Sequence, residues 1–414
     1  MFKKLVSLDE AKQIIARNFS LEPVGKENLQ LKQVYNRILA EDIVAPLDVP
    51  PFNRSTVDGY AVKAEDTFGA DEDRPLALKL CGQVRVGESP KVSIEKGTTA
   101  EIVTGAPLPE GADAVVMYED TVQRENTVSV HASVSKGENV MKAGSDIHKG
   151  ETVLRNRRML GSYEIGVLAA LGVIDVKVYK RPRVAILSTG AEVVEPGEPL
   201  PTGKIYDINA YALSAAVIEC GGEPINLGIV EDESQKMETT LKKALSMADS
   251  VITSGGVSVG PTDIIPEILD KLGKPGVIIN GIAMKPGKPT TIALVNGKPV
   301  FSLPGHPTSA LLIFQLLVRP VIVSMAKRPA EEPRTVKAIT RTKLFAARGR
   351  RTFVTVYLTK NKSDRFIAAH VPLGLSGAIT TLSKADGFIE IPETQQFIDE
   401  GEEVLVHLLK PSLY

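Results

Sequence analysis

The chain has little of what usually marks a redox, metal-storing or membrane protein. Its 414 residues hold two cysteines, Cys81 and Cys220, far apart and outside any CxxC spacing. They read as two buried free thiols in a reducing compartment rather than as a disulfide or a redox pair. Five histidines are scattered at 131, 148, 306, 370 and 407, which argues against a zinc site. The net charge is −1, so there is no basic excess to hold nucleic acid or an anionic membrane surface. The most apolar tract, ALLIFQLLVRPVIVSMA (310–326), is broken by Gln315, Arg319 and Pro320. It falls short of the about 20 apolar residues that a spanning helix wants and reads as a buried core helix. Asp9 and Glu10 follow the first short apolar run directly, unlike a signal peptide. The expectation is a soluble, cytoplasmic protein with no nucleic-acid and no membrane partner. Nucleotide fingerprints are missing too: GGVSVG lacks the P-loop lysine and does not fit GxGxxG.

What the chain does have is concentrated between residues 250 and 310. Three glycine-punctuated segments lie there, ITSGGVSVGPTD (252–263), MKPGKPTT (284–291) and SLPGHPTSA (302–310), each next to an apolar run. Glycine lets backbone approach an anion closely, and a helix starting just downstream turns free N–H groups toward it. The three loops imply a pocket for a phosphorylated or oxyanionic ligand, with Lys285 and Lys288 supplying charge.

At this length two to four domains are expected. Ser7 with Glu10 three positions on, then Ala11, Ile14, Ile15 and Phe19, predicts a capped helix over 7–19. LKQVYNRILAEDIV (31–44) predicts a second helical segment, which the prolines at 46, 50 and 51 stop. PPFNRSTVDGYAV (50–62) reads as a placed loop, although an Asp-Gly pair alone is most often a turn. Short β-type runs from 75 to 135 predict a small β-domain, and 158–172 a helix ending at Gly172. From Pro182 the pattern alternates strand and helix, starting with the continuous apolar strand RVAILSTG (183–190) and a helix capped by Asn209. That alternation predicts a doubly wound α/β domain over roughly 181–328. The runs RTFVTVYL, RFIAAHVPL, GFIEIP and EVLVHLL predict a C-terminal β-barrel or sandwich.

Ligands of open parallel sheets sit at the carboxyl ends of the strands. Thr189, Gly190 and Glu192, then Glu231 and Asp232, then Gly255 to Asp263 fall there in turn. Glu192, Asp232 and Asp263 beside two lysines suit Mg²⁺ bridging carboxylates to phosphate oxygens, against the plainer reading that Asp232 or Asp263 caps its helix. Ser258 is a possible oxyanion donor with no histidine paired to it, and His306 reads as a turn or capping residue.

VDGYAV, IVTGAPLPEGADAVV, GSDI, LSTGAEV, IYDIN, INLGIVED, TSGGVSVGPTD, MKPGKPTT and LPGHPTSA stand in one order along the chain. In that ordered set the chain resembles the molybdopterin molybdenumtransferases, the MoeA proteins and the E domains of gephyrin and its plant counterpart. The resemblance covers nearly the whole length. It implies an elongated homodimer of four subdomains: an elongated helical/β dimerisation domain (1–47 plus 145–180), an inserted small β-domain (48–144), a central doubly wound α/β (MogA-like) domain (181–328) and a C-terminal β-barrel (329–414). It implies insertion of molybdate, or tungstate, into adenylylated molybdopterin with Mg²⁺-dependent release of AMP. On matching motif positions the catalytic set is Asp58, Thr104, Asp146, Glu192, Asp232, Asp263 and Lys285, with Asp232 and Asp263 as metal ligands. Ser258, Lys288, Pro289, Arg350 and Ser376 match the oxyanion-binding set, and Gly255, Gly256, Gly260, Pro304, Gly305 and Pro307 belong to the substrate loops. The implied protein partners are a molybdopterin adenylyltransferase upstream and apo-molybdoenzymes downstream. Val57, His306, Met141 and Gly281 stand where the family pattern has methionine, asparagine, a basic residue and, in some members, lysine. The last two remove charge that Lys142 and Arg350 could share. Two other readings remain at this point: an adenylylating or related nucleotide-processing enzyme, which would not need the VDGYAV and TGAPLPEG motifs, and a scaffold, for which the chain offers no added domains.

Overall fold

A computed structural model describes residues 5–256, 264–329, 332–371 and 380–409. The chain forms two compact units, one of Met1–Glu27, Asn36–Ile38 and Lys177–Tyr414, the other of Asn28–Tyr35 and Leu39–Val176. Helix α1 (Leu8–Asn18) opens the first unit, with the Ser7 hydroxyl accepting the Glu10 N–H at 3.1 Å as the capping pattern requires. Its apolar stripe, Leu8, Ala11 and Ile15, is buried.

The second unit is built around a six-stranded sheet: β1 (Gly59–Val62), β2 (Leu76–Val84), β3 (Thr98–Ile102), β4 (Ala114–Met117), β5 (Thr121–Arg124) and β6 (Thr127–Val130). Its order is β4-β1-β3-β2-β6-β5. The GYAV part of VDGYAV is therefore a strand inside the sheet, flanked on both sides, with Val57 and Asp58 left at its entrance. Gly59 is required there, because a Cβ would lie 1.9 Å from the Val116 carbonyl oxygen. Helix α2 (Ser162–Ala170) follows, its Glu164 carboxylate accepting from Gly161 N–H and from Arg158. The Arg158 guanidinium holds the Glu164 pKa below its ordinary value. Gly172 closes the helix at φ +70°.

Residues 31–44 are not helical beyond a 3₁₀ turn at Leu31–Gln33. Asn36 sits at φ 59°, a left-handed conformation that breaks the helix, and Ile43–Val44 pairs with Thr152–Leu154 instead. Cys81 is exposed rather than buried, on a strand position that faces out. Cys220 is buried, and burial pushes its thiol up to about 11, so it is inert at neutral pH.

In the first unit the central sheet comprises β7 (Arg183–Thr189), β8 (Glu223–Val230), β9 (Ser250–Ser254), β10 (Pro275–Asn280), β12 (Thr291–Val295) and β13 (Lys298–Leu303); β11 (Met284–Lys285) lies between β10 and β12 in the chain. The order β8-β7-β9-β13-β12-β10 places four parallel strands beside two antiparallel ones. The Asn296-Gly297 turn joins β12 and β13 with both residues at positive φ. Helices α3 (Asn209–Glu219), α4 (Ser234–Met247), α5 (Ile265–Leu272), α6 (Pro307–Ile313) and α7 (Arg319–Met325) cover both faces. Val184 and Ile186 pack on the side of α1, α3, α6 and α7, whereas Ala185 and Leu187 pack toward α4 and α5. Strict alternation of this kind explains why β7 reads as an unbroken apolar run. Each fully buried leucine, isoleucine or valine in these layers contributes about 1.5–3 kcal/mol. Pro307–Met325 has the length and composition of a membrane-crossing helix, yet Phe314, Leu317, Val318, Val321 and Ile322 belong to the core.

The rest of this unit is a closed five-stranded barrel of β14 (Thr335–Thr340), β15 (Arg351–Lys360), β16 (Phe366–His370), β17 (Gly387–Ile391) and β18 (Glu403–Leu408). The ladder runs β15-β16-β14-β18-β17 and returns to β15. Strand β11 joins it in parallel, Met284 opposite Arg351 and Lys285 opposite Thr352.

Candidate active site

The carboxyl ends of β7, β9 and β13 open into a cavity of about 1090 Å³. The strand ends can approach this closely because glycine stands at the points of contact. A Cβ on Gly255 (φ +93°) would meet the Thr189 carbonyl oxygen at 2.4 Å, and the nearest atom to one on Gly305 is the Gly255 Cα at 3.7 Å. Gly255 N–H donates to the Leu303 carbonyl at 3.1 Å, closing the seam. Asn209, in the first turn of α3, crosses it: its Nδ2 donates to Ser254 Oγ and to the Gly305 carbonyl, both at 2.7 Å.

Asn209 is thus not the cap of α3. That role falls to Asp207, whose Oδ1 accepts the Ala210 N–H at 3.0 Å. Neither residue's part was visible in the sequence, although both sit in the IYDIN motif. Asp207 is 4% exposed and Asn209 8%, and both line the cavity. Asp207 Oδ2, Asn209 Oδ1, Ser188 Oγ and Thr189 Oγ1 are buried there and, among the described residues, find no hydrogen-bond partner. Buried polar atoms left unmatched cost about 1–3 kcal/mol each, so such a group marks a place where a ligand or water completes the bonding.

Glu192, Asp232, Gly255, Gly256, Pro289, Pro304, Gly305 and Pro307 all line this cavity, with Lys204 as a cation the motif reading missed. Asp232 is not spent on capping, because the N-cap of α4 is Glu233 with no side-chain bond. Glu231, next to it, is committed to Lys236 at 2.7 Å. His306 occupies the N-cap position of α6, again with no side-chain capping bond. Ser258, Gly260, Asp263 and Ser376 lie outside the described residues.

Lys285 takes a different position. It lines a second cavity of about 620 Å³ with Thr352, Phe353 and His370, while Pro289, four residues on, lines the first. Gly287 at φ +107° turns the loop between them, and Lys288, half-buried, gives its carbonyl to Ile282 N–H at 3.1 Å. Arg350 ends a turn closed by its N–H to the Ala347 carbonyl, and the Thr352 hydroxyl donates to the Arg350 carbonyl at 3.1 Å.

In the other unit Asp58 and Thr104 meet directly. Asp58 Oδ1 accepts from the Thr104 N–H at 2.6 Å and from its hydroxyl at 2.9 Å. These two bonds, the backbone one first, hold the Asp58 pKa below its ordinary value. Asp146 is exposed and its N–H donates to the Val49 carbonyl; among the described residues no hydrogen bond joins its side chain to that pair.

Among the described residues no group of three or more His, Cys, Asp or Glu side chains gathers as a closed metal cage. Mg²⁺ does not need one, since it keeps waters and is held by one or two carboxylates together with substrate phosphates. Glu192 and Asp232, both lining the cavity, supply the one or two carboxylates that this requires.

Three family models match the chain: "MoeA N-terminal region (domain I and II)" over residues 6–172, "Probable molybdopterin binding domain" over 185–323, and "MoeA C-terminal region (domain IV)" over 337–409. The chain is 37% identical over 386 residues to the molybdopterin molybdenumtransferase of Nostoc sp., covering 92% of this chain and 88% of that one. Identity to the molybdopterin molybdenumtransferase of Haemophilus influenzae is 34% over 411 residues, 98% of this chain and 100% of the relative. Among solved structures, the molybdopterin biosynthesis MoeA protein from Pyrococcus horikosii superposes with a TM-score of 0.84 at 42% identity, covering 99% of this chain and 100% of that one. A MoeA protein from Pyrococcus horikoshii OT3 does so with a TM-score of 0.76 at 32% identity, covering 98% and 100%.

Proposed function

The chain belongs to the MoeA family of molybdopterin molybdenumtransferases, which insert molybdenum in molybdenum cofactor biosynthesis, and from that premise we propose how its residues divide the work. The strand-end cavity takes adenylylated molybdopterin, molybdate is loaded onto it, and AMP is released. The observation that carries this reading is the shelf of buried, unpartnered polar atoms at Ser188, Thr189, Asp207 and Asn209, with two carboxylates on the same cavity. A polar, partly organic ligand satisfies such a shelf; an apolar one would not.

Asp232, with Glu192 and Asp263, would hold Mg²⁺, whose charge offsets that of the phosphate oxygens. The glycine loops bring backbone N–H groups to the phosphates. Lys285, Lys288 and Arg350, with Ser258, Pro289 and Ser376, hold the tetrahedral dianion, molybdate or tungstate, through charge-assisted hydrogen bonds. Asp58, Thr104 and Asp146 serve the same reaction, Asp58 as an ionised hydrogen-bond acceptor, in a homodimer working in the cytoplasm. A molybdopterin adenylyltransferase supplies the substrate, and apo-molybdoenzymes take the product. The test is AMP release from adenylylated molybdopterin in the presence of Mg²⁺ and molybdate. Release that depends on molybdate is the expected result. Absence of AMP, with the pterin shown to be bound, would overturn the assignment.

A further inference from the structure

Strand β11 carries Lys285 but is only two residues long, and its ladder partner is the start of β15. The first residue of β15 is Arg351. Arg351 is 14% exposed and surrounded by carboxylates: Nη1 and Nη2 grip Asp9 of α1 at 3.0 and 2.7 Å, Nε donates to Glu393 at 3.1 Å, and Nη1 lies 3.2 Å from Glu390 of β17. Its backbone N–H donates to the Ala283 carbonyl at 3.1 Å, one residue before β11. Thr352, directly after it, is both the register partner of Lys285 and the hydroxyl that organises the Arg350 turn. One short stretch, 350–352, therefore fixes two of the cations assigned to the oxyanion.

We infer that Arg351 is a positioning residue for oxyanion binding, acting through Lys285 and Arg350. Three carboxylates face one guanidinium, so the cluster carries an excess of negative charge at the residue that follows Arg350 and precedes the register partner of Lys285. The fork geometry of arginine keeps all three carboxylates engaged; lysine, a point charge, would not. Without that fork, Asp9, Glu390 and Glu393 compete with the oxyanion for Lys285 and Arg350, and their field opposes the dianion's approach. The inference rests on the oxyanion assignment above, and the experiment separates the two.

Molybdate alone is titrated calorimetrically into the full-length chain, its Arg351→Gln and Arg351→Lys variants, and the Arg351→Gln/Glu393→Gln double variant. The dissociation constant is expected to rise about ten-fold in Arg351→Gln, to stay raised in Arg351→Lys, and to recover several-fold in the double variant, with kcat at saturating molybdate unchanged. A dissociation constant for Arg351→Gln within about two-fold of the parent, or a double variant weaker than the single, overturns the inference. If Arg351→Gln does not fold, Glu393→Gln alone decides: tighter molybdate binding supports the inference, and unchanged or weaker binding overturns it. A parent protein that binds no molybdate, or whose binding ignores Lys285→Met, overturns the oxyanion assignment and the inference with it.

Discussion

Two polar groupings in this molecule are prepared in opposite ways. Asp58, at the entrance of β1, already has two donors from Thr104 on one oxygen, and its charge is settled before any ligand arrives. Asp207 and Asn209, at the start of α3, each spend one atom on the fold and leave another buried and unmatched. The first is an exposed pair whose chemistry is preset. The second is a wall whose bonding is finished by what binds. The difference teaches where binding energy goes: at Asp58 a ligand meets a fixed charge, whereas at the strand ends it relieves a cost the fold already carries.

Filling the seam between the strand ends should have the largest effect. Gly255→Val puts branched carbon at a position where even a Cβ would lie 2.4 Å from a backbone oxygen, at a φ of +93°. A loss of about 2–4 kcal/mol in denaturant unfolding is expected, with AMP release abolished. Normal stability with normal turnover would show that the seam is not needed. Next is Asn209→Ala, which removes two 2.7 Å bonds and strands Ser254 Oγ and the Gly305 carbonyl. It should cost about 1–3 kcal/mol, and saturating pterin substrate should recover less stability than in the parent, because one ligand acceptor has gone. Asp58→Asn sharpens the contrast: the melting temperature should hold while AMP release falls at least about ten-fold. A drop in melting temperature as large as that of Asn209→Ala would place Asp58 among structural residues.

Much of this was legible because it is local. The Ser7 cap, the Asn296-Gly297 hairpin, the continuous apolar β7 and the β-type runs of the barrel each carry their structure within a few residues. Where the reading failed, partners distant in the chain mostly decided the outcome. Residues 31–44 have helical apolar spacing, but Asn36 in the left-handed region and the pairing of Ile43–Val44 with Thr152–Leu154 override it. Asn209 looked like a cap because asparagine often is one; its amide instead reaches residues 45 and 96 positions away. Lys285 and Pro289 belong to one short loop, and only the pairing of β11 with a barrel strand shows that the lysine lines a second cavity while the proline lines the first. Of the adjacent pair Glu231 and Asp232, the first is taken up by the ion pair to Lys236 and the second lines the cavity.

The finest test of the Asp58 side uses Thr104→Val, which deletes the hydroxyl bond of 2.9 Å and keeps the backbone N–H at 2.6 Å. The backbone bond is the larger cause of the lowered pKa, so Asp58 should move up and still stay below its ordinary value. The sign follows from linkage. A carboxylate whose folded pKa is depressed lends its stabilisation above the unfolded pKa and loses it as pH falls through the folded one. In Thr104→Val that loss still begins at the unfolded pKa but is smaller and complete at a higher pH, and Asp58 takes up its proton at a higher pH, so the acid limb of kcat/KM should shift upward while activity near neutrality barely changes. Carboxyl-carbon NMR titration of Asp58 reads the pKa directly. An acid limb and a pKa that both stay in place would mean that the Thr104 hydroxyl contributes nothing to the charge state, leaving the backbone N–H alone to preset it.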